Sequence, residues 1–217
     1  LGGLRGAAQL LEQELDKDSL KEYTQIIINE ADRLQNLMNR MLTPSQMPVY
    51  KKTNIHEILE RVRSLILSEF SSDISFVRDY DVSLPEFIVD REKLIQAILN
   101  IAKNGAQAMK LNNQDSRQLS FVTRAERQIV FRKKKHATAI RIDIIDNGPG
   151  IKNELIDKIF FPLVTGNENG SGLGLSLAQN LISLHQGMID CHSVPGKTVF
   201  SIILPIENNL IPTQEKK

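Results

Sequence analysis

A single cysteine, the absence of tryptophan and the absence of long apolar runs mark this 217-residue chain. The lone cysteine, Cys191, excludes an intrachain disulfide and an all-cysteine zinc site, and it is typical of a reducing compartment. No apolar run reaches the roughly 18 residues of a membrane-spanning helix, so we expect no membrane partner. Lysine plus arginine number 27 against 26 acidic residues, which is not the basic excess of a nucleic-acid-binding protein.

The chain also lacks the pattern of a secretory leader. It opens with Leu1-Gly2-Gly3, which contains neither an initiator methionine nor a basic segment. We therefore expect a cytoplasmic protein and a fragment of a longer chain. The length suits one large domain or two small ones, and the 41 % hydrophobic content is that of a globular protein.

The first 43 residues carry two helical repeats of apolar residues. Residues 1–15 have the alternating three-and-four spacing of a coiled-coil seam. Ser19 and Glu22 then form the sequence of a capping box, which begins a second helix ending near residue 41. A lone hairpin cannot bury its own apolar stripe, which favours a four-helix bundle in a homodimer through residues 1–43. Packing of the hairpin on the rest of its own chain is the alternative.

A larger domain follows the hairpin. We predict a linker over residues 44–52, one domain over residues 53–207 and a flexible tail over residues 208–217. Within the domain, the pattern predicts helices over 54–70, 90–109 and 173–184, and strands over 74–77, 87–89, 119–123, 128–131, 138–145, 188–192 and 198–204. The irregular alternation favours an α+β fold with helices on one face of a mixed sheet, and Asp90 is the predicted cap of the second helix.

The segment Asp146-Asn147-Gly148-Pro149-Gly150 directly follows an apolar strand pattern. One interpretation is ordinary turn chemistry. The other is a base pocket, in which the Asp146 carboxylate accepts a hydrogen bond from an exocyclic amine while Gly148 and Gly150 let the backbone approach a flat ring. Such an acceptor would favour adenine over guanine, which presents a carbonyl group instead.

Two further motifs indicate phosphate and metal chemistry. Gly170-Ser171-Gly172-Leu173-Gly174-Leu175 opens a predicted helix, where several backbone N–H groups can bind a phosphate. No strand pattern precedes these glycines, which disfavours a dinucleotide-binding fold. Asn100 and Asn104 are one helical turn apart, and their side-chain oxygens either bind Mg²⁺ or face solvent. Lys103, next to Asn104, is a further candidate phosphate contact.

In this order, the three motifs resemble the N, G1 and G2 boxes of the Bergerat ATP-binding fold. That fold is shared by the GHKL superfamily of histidine kinases, gyrase, Hsp90 and MutL. Phe160-Phe161-Pro162 are similar to the F box of the superfamily, and Gly196-Lys197-Thr198-Val199-Phe200 are similar to its last hairpin. A match to four boxes in the right order is a strong signal of this fold.

One branch is more similar still, the NtrB-like family of nitrogen-regulation sensor histidine kinases. The segments that carry this likeness are Leu1-Gly2-Gly3-Leu4-Arg5-Gly6-Ala7-Ala8-Gln9-Leu10-Leu11, Arg78-Asp79-Tyr80 and Phe161-Pro162-Leu163-Val164-Thr165-Gly166. The likeness covers residues 1–206. It implies an α+β protein in which a two-helix hairpin dimerisation and phosphotransfer domain is followed by a Bergerat-type α/β-sandwich ATP-binding domain.

The resemblance also assigns roles to individual residues. It implies ATP and Mg²⁺ as cofactors, with Asn104 as the metal ligand and Asn100 beside it as the catalytic position. It implies that Asp146 binds the adenine amine, with Thr198 in support through a water, and that residues 162–171 form an ATP lid. The nucleotide-binding residues it implies are Asn100, Asn104, Asp146, Gly148, Gly150, Thr165, Gly172, Leu173, Gly174, Leu175 and Thr198.

Position 100 separates the branches of the superfamily. ATPase relatives carry a glutamate there that activates water, whereas Asn100 cannot act as a general base. The resemblance therefore implies a histidine kinase that transfers the γ-phosphoryl group of ATP to a histidine, and then to an aspartate of an NtrC-like response regulator. It further implies dephosphorylation of that regulator and binding of a PII-type signal protein. A GHKL-type ATPase and a non-catalytic dimer scaffold are the alternatives.

The phosphoacceptor histidine of the family is missing from the first 43 residues. The family carries it in a His-Glu-x-x-Asn-Pro stretch just before the residues that match the beginning of this chain, so we do not expect autophosphorylation. The four histidines present are His56, His136, His185 and His192. His56-Glu57 lacks the following Asn-Pro, and we interpret it as structural. We interpret His185 as a helix C-terminal residue favoured by the helix dipole.

Overall fold

The computed structural model describes residues 11, 24–28, 48–70, 74–111, 116–131, 134–166 and 171–206. The chain divides into two compact units, Leu1–Met47 and Pro48–Lys217. In the first unit, the described residues are helical. The rest of the predicted hairpin, its dimer seam and the predicted tail lie outside the described residues. Among the helices that are described, none is long and apolar enough to span a membrane.

The second unit is built from short helices and strands whose bounds follow in chain order. They are β1 (Tyr50–Thr53), α1 (Ile55–Phe70), β2 (Ile74–Asp79), β3 (Phe87–Asp90), α2 (Arg91–Leu111), β4 (Arg117–Phe131), β5 (Lys134–Asp146), α3 (Asn153–Ile156), α4 (Gly174–Leu184), β6 (Met188–Val194) and β7 (Lys197–Pro205). One sheet has the strand order β2-β4-β5-β7-β6. Its β2–β4 pair is parallel and its other pairs are antiparallel, while β1 pairs with β3 separately.

The core lies between this sheet and the helices. Helix α2 packs between α1 and α4 and against β4 and β5. Alternate residues of the central strands, such as Phe121, Ile142 and Phe200, are buried in the same cluster as the apolar faces of the helices. The predicted α+β architecture, with helices on one face of a mixed sheet, is therefore confirmed.

Two elements differ from the sequence prediction. The strands predicted over 119–123 and 128–131 form one strand, β4, whose pairing with β5 keeps the same register on both sides of Gln128. Gln128 has a φ of 51°, yet the strand continues through it. In addition, β1 occupies the last residues of the range predicted as linker, because Tyr50–Thr53 pair with a partner strand almost forty residues away.

Asp90, the last residue of β3, connects three parts of the unit. Its Oδ1 accepts a hydrogen bond from the Lys93 N–H at 3.1 Å, which confirms the predicted cap of α2. Its Oδ2 accepts one from the Val49 N–H at 2.9 Å, just before β1. Its own backbone N–H donates to Nε2 of His185, just after α4, at 3.0 Å. The starts of α2 and β1 and the end of α4 are therefore joined at one carboxylate residue.

His185 is neutral in this arrangement. Its Nε2 accepts the Asp90 N–H, so the ring proton is on Nδ1, which donates to the Leu181 carbonyl at 2.8 Å. The ring is 1 % exposed, and this burial lowers the pKa of His185. The residue lies at a helix C-terminus as predicted, and its Nδ1–H donates to a carbonyl of the last turn, which is the favourable interaction that a neutral imidazole can make with this end of the helix.

We predict that the unit loses stability as the pH falls below about 6.5. Unfolded His185 binds a proton in that range, whereas folded His185, whose pKa is lowered, does not. His185→Gln removes this titration, so the thermal midpoint of the second unit, measured by calorimetry on the full chain, should vary less with pH. His192→Gln, at an exposed position, is the control. An unchanged pH slope in His185→Gln would contradict the assigned tautomer.

Candidate nucleotide-binding site

Asp146, the last residue of β5, lies at the contact between the sheet and α2. The period-two alternation of β5 turns its side chain toward the helices, where it is 6 % exposed. A Cβ atom built on Gly105 of α2 would be only 2.9 Å from Asp146 Oδ2. Because position 105 is glycine, the carboxylate can contact the helix directly. Asn104, the predicted metal ligand, directly precedes Gly105 on α2.

The Asp146 carboxylate is held by the loop that follows it. The Gly148 N–H donates to Oδ1 at 2.9 Å. Burial raises the pKa of Asp146, and the hydrogen bond from Gly148 partly opposes that rise. A carboxylate has about four acceptor sites, so Asp146 keeps the capacity to accept a further hydrogen bond. The side chain can therefore act as a buried acceptor, as the base-pocket interpretation requires.

The hairpin between β6 and β7 closes on the loop after Asp146. The Gly196 N–H donates to the Gly148 carbonyl at 2.9 Å. Gly150 has a φ of 83°, and a Cβ there would lie 3.0 Å from the backbone of Val194. Gly150 is thus required by the protein's own backbone packing, and its predicted contact with a base stays a prediction.

Thr198 of β7 is the second polar residue buried at this end. It pairs with Asp146 in the sheet register and is buried. Its Oγ1 lies 2.9 Å from the hydroxyl of Ser193 on β6. Ser193 Oγ in turn accepts the Ile151 N–H at 2.9 Å. The structure therefore places Thr198 opposite Asp146, where its predicted supporting role requires it.

The two asparagines of α2 differ in exposure. Asn104 is exposed, and Asn100 is half-buried. The side-chain nitrogen of Asn100 is buried and has no hydrogen-bond partner among the described residues, which is typical of an amide that meets a ligand. A Cβ on Gly174 would lie 4.0 Å from Asn100 Cβ, so the start of α4 faces this amide.

The start of α4 is open to an anion. Its N-cap residue, Leu173, makes no side-chain capping hydrogen bond. The first N–H groups of the helix therefore lack the partner that a serine or aspartate would supply, and they carry the positive end of the helix dipole. Leu173, Gly174 and Leu175 are half-buried, and Thr165 is exposed. Gly170 lies outside the described residues.

The side chains of Asn104 and Asn100 fit a magnesium ion bound together with a phosphate. Asn104 offers an exposed amide oxygen, and the buried amide of Asn100 is one turn away. The Nζ of Lys103 forms an ion pair with Glu69 of α1 and so faces that helix, and its phosphate contact stays a prediction. No group of three or more His, Cys, Asp or Glu side chains suited to a metal occurs within the described ranges.

The two ends of the predicted lid are joined. The Leu163 N–H donates to the Gly172 carbonyl at 2.9 Å, and both residues have positive φ, 67° and 64°. A Cβ on Gly172 would lie 2.5 Å from the Leu163 carbonyl carbon, so glycine is needed for the two ends of the lid to approach this closely.

His56 lies in a separate cluster. Its Nε2 is 3.1 Å from Thr123 Oγ1, and its ring stacks on Tyr80 with centroids 4.6 Å apart. Its backbone N–H is bonded to the side chain of Asn54 at the start of α1. These contacts agree with our structural interpretation of His56, which stays a prediction.

Sequence reasoning overlooked residues whose role depends on packing. Gly105 contacts Asp146, and Ser193 bonds Thr198. Asn147, which looked like turn chemistry, fastens β5 to β4 by accepting from the Gln118 N–H and donating to the Ser116 carbonyl. Asn147 in a turn-forming segment and a glycine at position 105, inside a helix pattern that it weakens slightly, were the available signals, whereas Ser193 fits an ordinary strand pattern.

Two family models match the chain. Residues 89–208 match the histidine kinase-, DNA gyrase B- and HSP90-like ATPase family, and residues 1–48 match the His Kinase A phospho-acceptor domain. The first match covers more than half of the chain. The chain therefore belongs to the histidine kinase-, DNA gyrase B- and HSP90-like ATPase family, and the predicted superfamily is confirmed.

Curated relatives of higher sequence identity indicate one group within this family. The chain is 50 % identical over 206 residues to the sensory histidine kinase/phosphatase NtrB of Vibrio alginolyticus and 45 % identical over 206 residues to that of Salmonella typhimurium, in both cases over 95 % of this chain and 58 % of the relative. The chain thus spans about three fifths of the curated relatives it matches. The predicted similarity to nitrogen-regulation sensor kinases is confirmed.

A solved structure supports the fold. Histidine kinase ThkA in complex with response regulator protein TrrA aligns with a TM-score of 0.62 at 24 % identity, over 94 % of this chain and 57 % of that one. At this level of identity the likeness shows the fold alone.

We predict that Gly172→Ala destabilises the chain more than Gly196→Ala. Both glycines have positive φ, so alanine at either position costs about 1–2 kcal/mol in backbone strain. Only at Gly172 would the new Cβ also overlap backbone atoms, since nothing lies within 4 Å of a Cβ at Gly196. The difference in free energy of unfolding should reach at least about 1 kcal/mol in urea titrations. Equal losses would argue against the close approach of the lid ends.

Proposed function

We propose that this chain is the ATP-dependent core of a protein histidine kinase. The observation that carries the proposal is the short stretch of α2 from Asn100 to Gly105. Gly105 contacts the buried Asp146 carboxylate, and Asn100 faces the start of α4 at Gly174. These six helical residues span about 7.5 Å, so the proposed base acceptor of β5, the metal ligand of α2 and the phosphate-binding amides of α4 all lie beside one short stretch of α2.

Asp146 would select the base. Its buried carboxylate accepts the 6-amino group of adenine, while the Gly148 N–H fixes the orientation of the carboxylate. Guanine would place a carbonyl oxygen against this acceptor, which leaves two acceptors facing each other without a proton. The site therefore favours ATP.

Asn104 would hold Mg²⁺ through its side-chain oxygen, and Asn100 would approach the phosphates from the same helix. When bound, the ion neutralises the negative charge of the phosphoryl group during transfer. The uncapped N–H groups of α4 bind phosphate oxygens from the other side. Asn100 and the amides of α4 thereby position the triphosphate for in-line transfer.

Asn100 favours transfer to a protein side chain over hydrolysis. An amide cannot remove a proton from water, so the general base of the ATPase relatives is lacking at this position. A histidine imidazole carries its own nucleophilic lone pair and needs no such base. Residues 1–48 contain no histidine, so the acceptor would be presented by a segment other than these residues.

The similarity to NtrB supports further parts of the proposal. The phosphoryl group would pass from histidine to an aspartate of an NtrC-like response regulator, and the same core would promote dephosphorylation of that regulator. A PII-type signal protein would bind the core, and residues 1–43 would form a homodimer. The setting would be cytoplasmic. The kinase/phosphatase names of the relatives support the phosphoryl transfer and the dephosphorylation, and the phospho-acceptor domain match supports a phosphotransfer role for residues 1–48.

We predict that Asp146→Asn weakens ATP binding at least about tenfold without lowering stability. The asparagine nitrogen opposes the adenine amine, whereas removal of a buried charge whose pKa is raised relieves a desolvation cost at neutral pH. Calorimetric titration of the full chain with Mg-ATP measures the affinity, and thermal unfolding measures the stability.

Asp143→Asn on the same strand is the matched control for Asp146→Asn. Asp143 bonds Arg141 at 2.9 Å and Ser201 at 2.7 Å on the other face of the sheet. Its variant should lose stability and keep its affinity for ATP. Equal ATP affinity in wild type and Asp146→Asn would contradict the assigned base site.

We predict that the full chain phosphorylates a second polypeptide that carries the family's acceptor histidine helix. With γ-labelled Mg-ATP, acid-labile and alkali-stable label should appear on that polypeptide and vanish when its histidine is replaced. Asn104→Ala in this chain should abolish the label, because the metal ligand is lost.

Three results would count against this assignment. Steady phosphate release without the acceptor polypeptide would favour a GHKL-type ATPase. Failure to bind Mg-ATP would favour a non-catalytic dimer scaffold. Label on this chain that is lost in His56→Ala would overturn the structural interpretation of His56.

A further inference from the structure

A chain of hydrogen bonds lies behind the base-binding residues. It begins at the Ile151 N–H, which donates to Ser193 Oγ at 2.9 Å, and continues to Thr198 Oγ1, also at 2.9 Å. Thr198 is buried opposite Asp146. The hydrogen bonds of the Ser193 hydroxyl are to Ile151 and Thr198, so the hydroxyl can act on the base-binding residues through Thr198.

The direction of these hydrogen bonds decides whether the Thr198 hydroxyl can donate a proton to a ligand or only accept one. Either hydroxyl can donate across the Ser193–Thr198 contact. If Thr198 donates to Ser193, only its lone pairs remain for a ligand. If Ser193 donates to Thr198, the Thr198 proton is free. Donation from Ser193 to Thr198 has the same direction as donation from the Ile151 N–H to Ser193. Consecutive hydrogen bonds that share one direction polarise and strengthen one another, which favours this alternative.

We infer that Ser193 is a positioning residue that sets the adenine specificity of the site through Thr198. The inference rests on the proposed binding of ATP. The Ser193 hydroxyl donates to Thr198, and Thr198 then directs its own proton, directly or through a water, to N1 of the base. Asp146 accepts from the 6-amino group beside it.

The Asp146 acceptor and the Thr198 donor together match the hydrogen-bonding edge of adenine. Adenine presents a donor at its 6-amino group and an acceptor at N1, which meet the Asp146 acceptor and the Thr198 donor. Guanine presents an acceptor at position 6 and a donor at N1, which is the reverse order. Without Ser193 the Thr198 hydroxyl can rotate, and the N1 half of this discrimination is lost.

The test compares ATP with 1-deaza-ATP, which lacks the N1 acceptor, by calorimetric titration of the full chain with Mg²⁺. Wild type should bind ATP about fivefold to tenfold more tightly than 1-deaza-ATP, the contribution of one neutral hydrogen bond. In Ser193→Ala the two nucleotides should bind equally. Ser193→Thr keeps the hydroxyl and should restore the preference. 7-Deaza-ATP, which keeps N1, should follow ATP in every variant.

Ser201→Ala is the matched control. Ser201 is also a half-buried serine of the sheet, on β7, and its hydroxyl donates to Asp143 at 2.7 Å on the face away from the site. Its loss should lower stability much as Ser193→Ala does and leave the N1 preference unchanged. A purely structural role for Ser193 would give the two variants the same nucleotide profile.

The outcomes separate the inference from the proposed function. Wild-type binding of ATP with an N1 preference that survives in Ser193→Ala would overturn the inference and leave ATP binding intact. Equal wild-type binding of ATP and 1-deaza-ATP would also overturn it, since Thr198 would then not read N1. Absence of ATP binding by wild type would instead refute the proposed function.

Discussion

The contact between the Asp146 carboxylate and the helix backbone at Gly105 is the constraint on which the site depends. A strand end and a helix middle can approach this closely only where one side chain is missing. The contact buries the carboxylate, which raises its pKa and prepares it to accept a hydrogen bond away from competing water. It also fixes the distance between the base acceptor and Asn104. The proposed recognition of base and metal therefore rests on the same sheet–helix packing that forms the core.

Two glycines at this site are required by contacts within the protein's own backbone. Gly150 lets the β6–β7 hairpin close on the loop after β5, and Gly172 lets the lid ends approach closely. Each has a positive φ together with backbone atoms within 3.0 Å of its would-be Cβ. A glycine-rich motif in a sequence thus indicates close approach, but the partner is in these cases the protein's own chain. The expected contacts of Gly148 and Gly150 with a base are compatible with this geometry and are not needed to explain it.

The sequence allowed prediction of the features that are local. Asp146, the asparagine pair of α2 and the glycines before α4 stand in short motifs, and Asp90 precedes a periodic helix pattern as a cap should. Features that arise from pairing between distant segments were not predictable. Tyr50–Thr53 form a strand because of β3, and the neutral state of His185 depends on the Asp90 N–H. Gly105 and Ser193 became informative only when the fold placed them against Asp146 and Thr198.

The Asp90–His185 connection joins the two helices of the proposed phosphate site. Asn100 lies on α2 and the amides proposed to bind phosphate lie at the start of α4, so the proposed site needs a fixed spacing between the helices. Asp90 caps the beginning of α2, and its N–H holds the imidazole that follows the end of α4. The same carboxylate binds the Val49 N–H, where the chain enters β1. The segment before β1 and both helices of the proposed site are therefore bonded to one and the same residue.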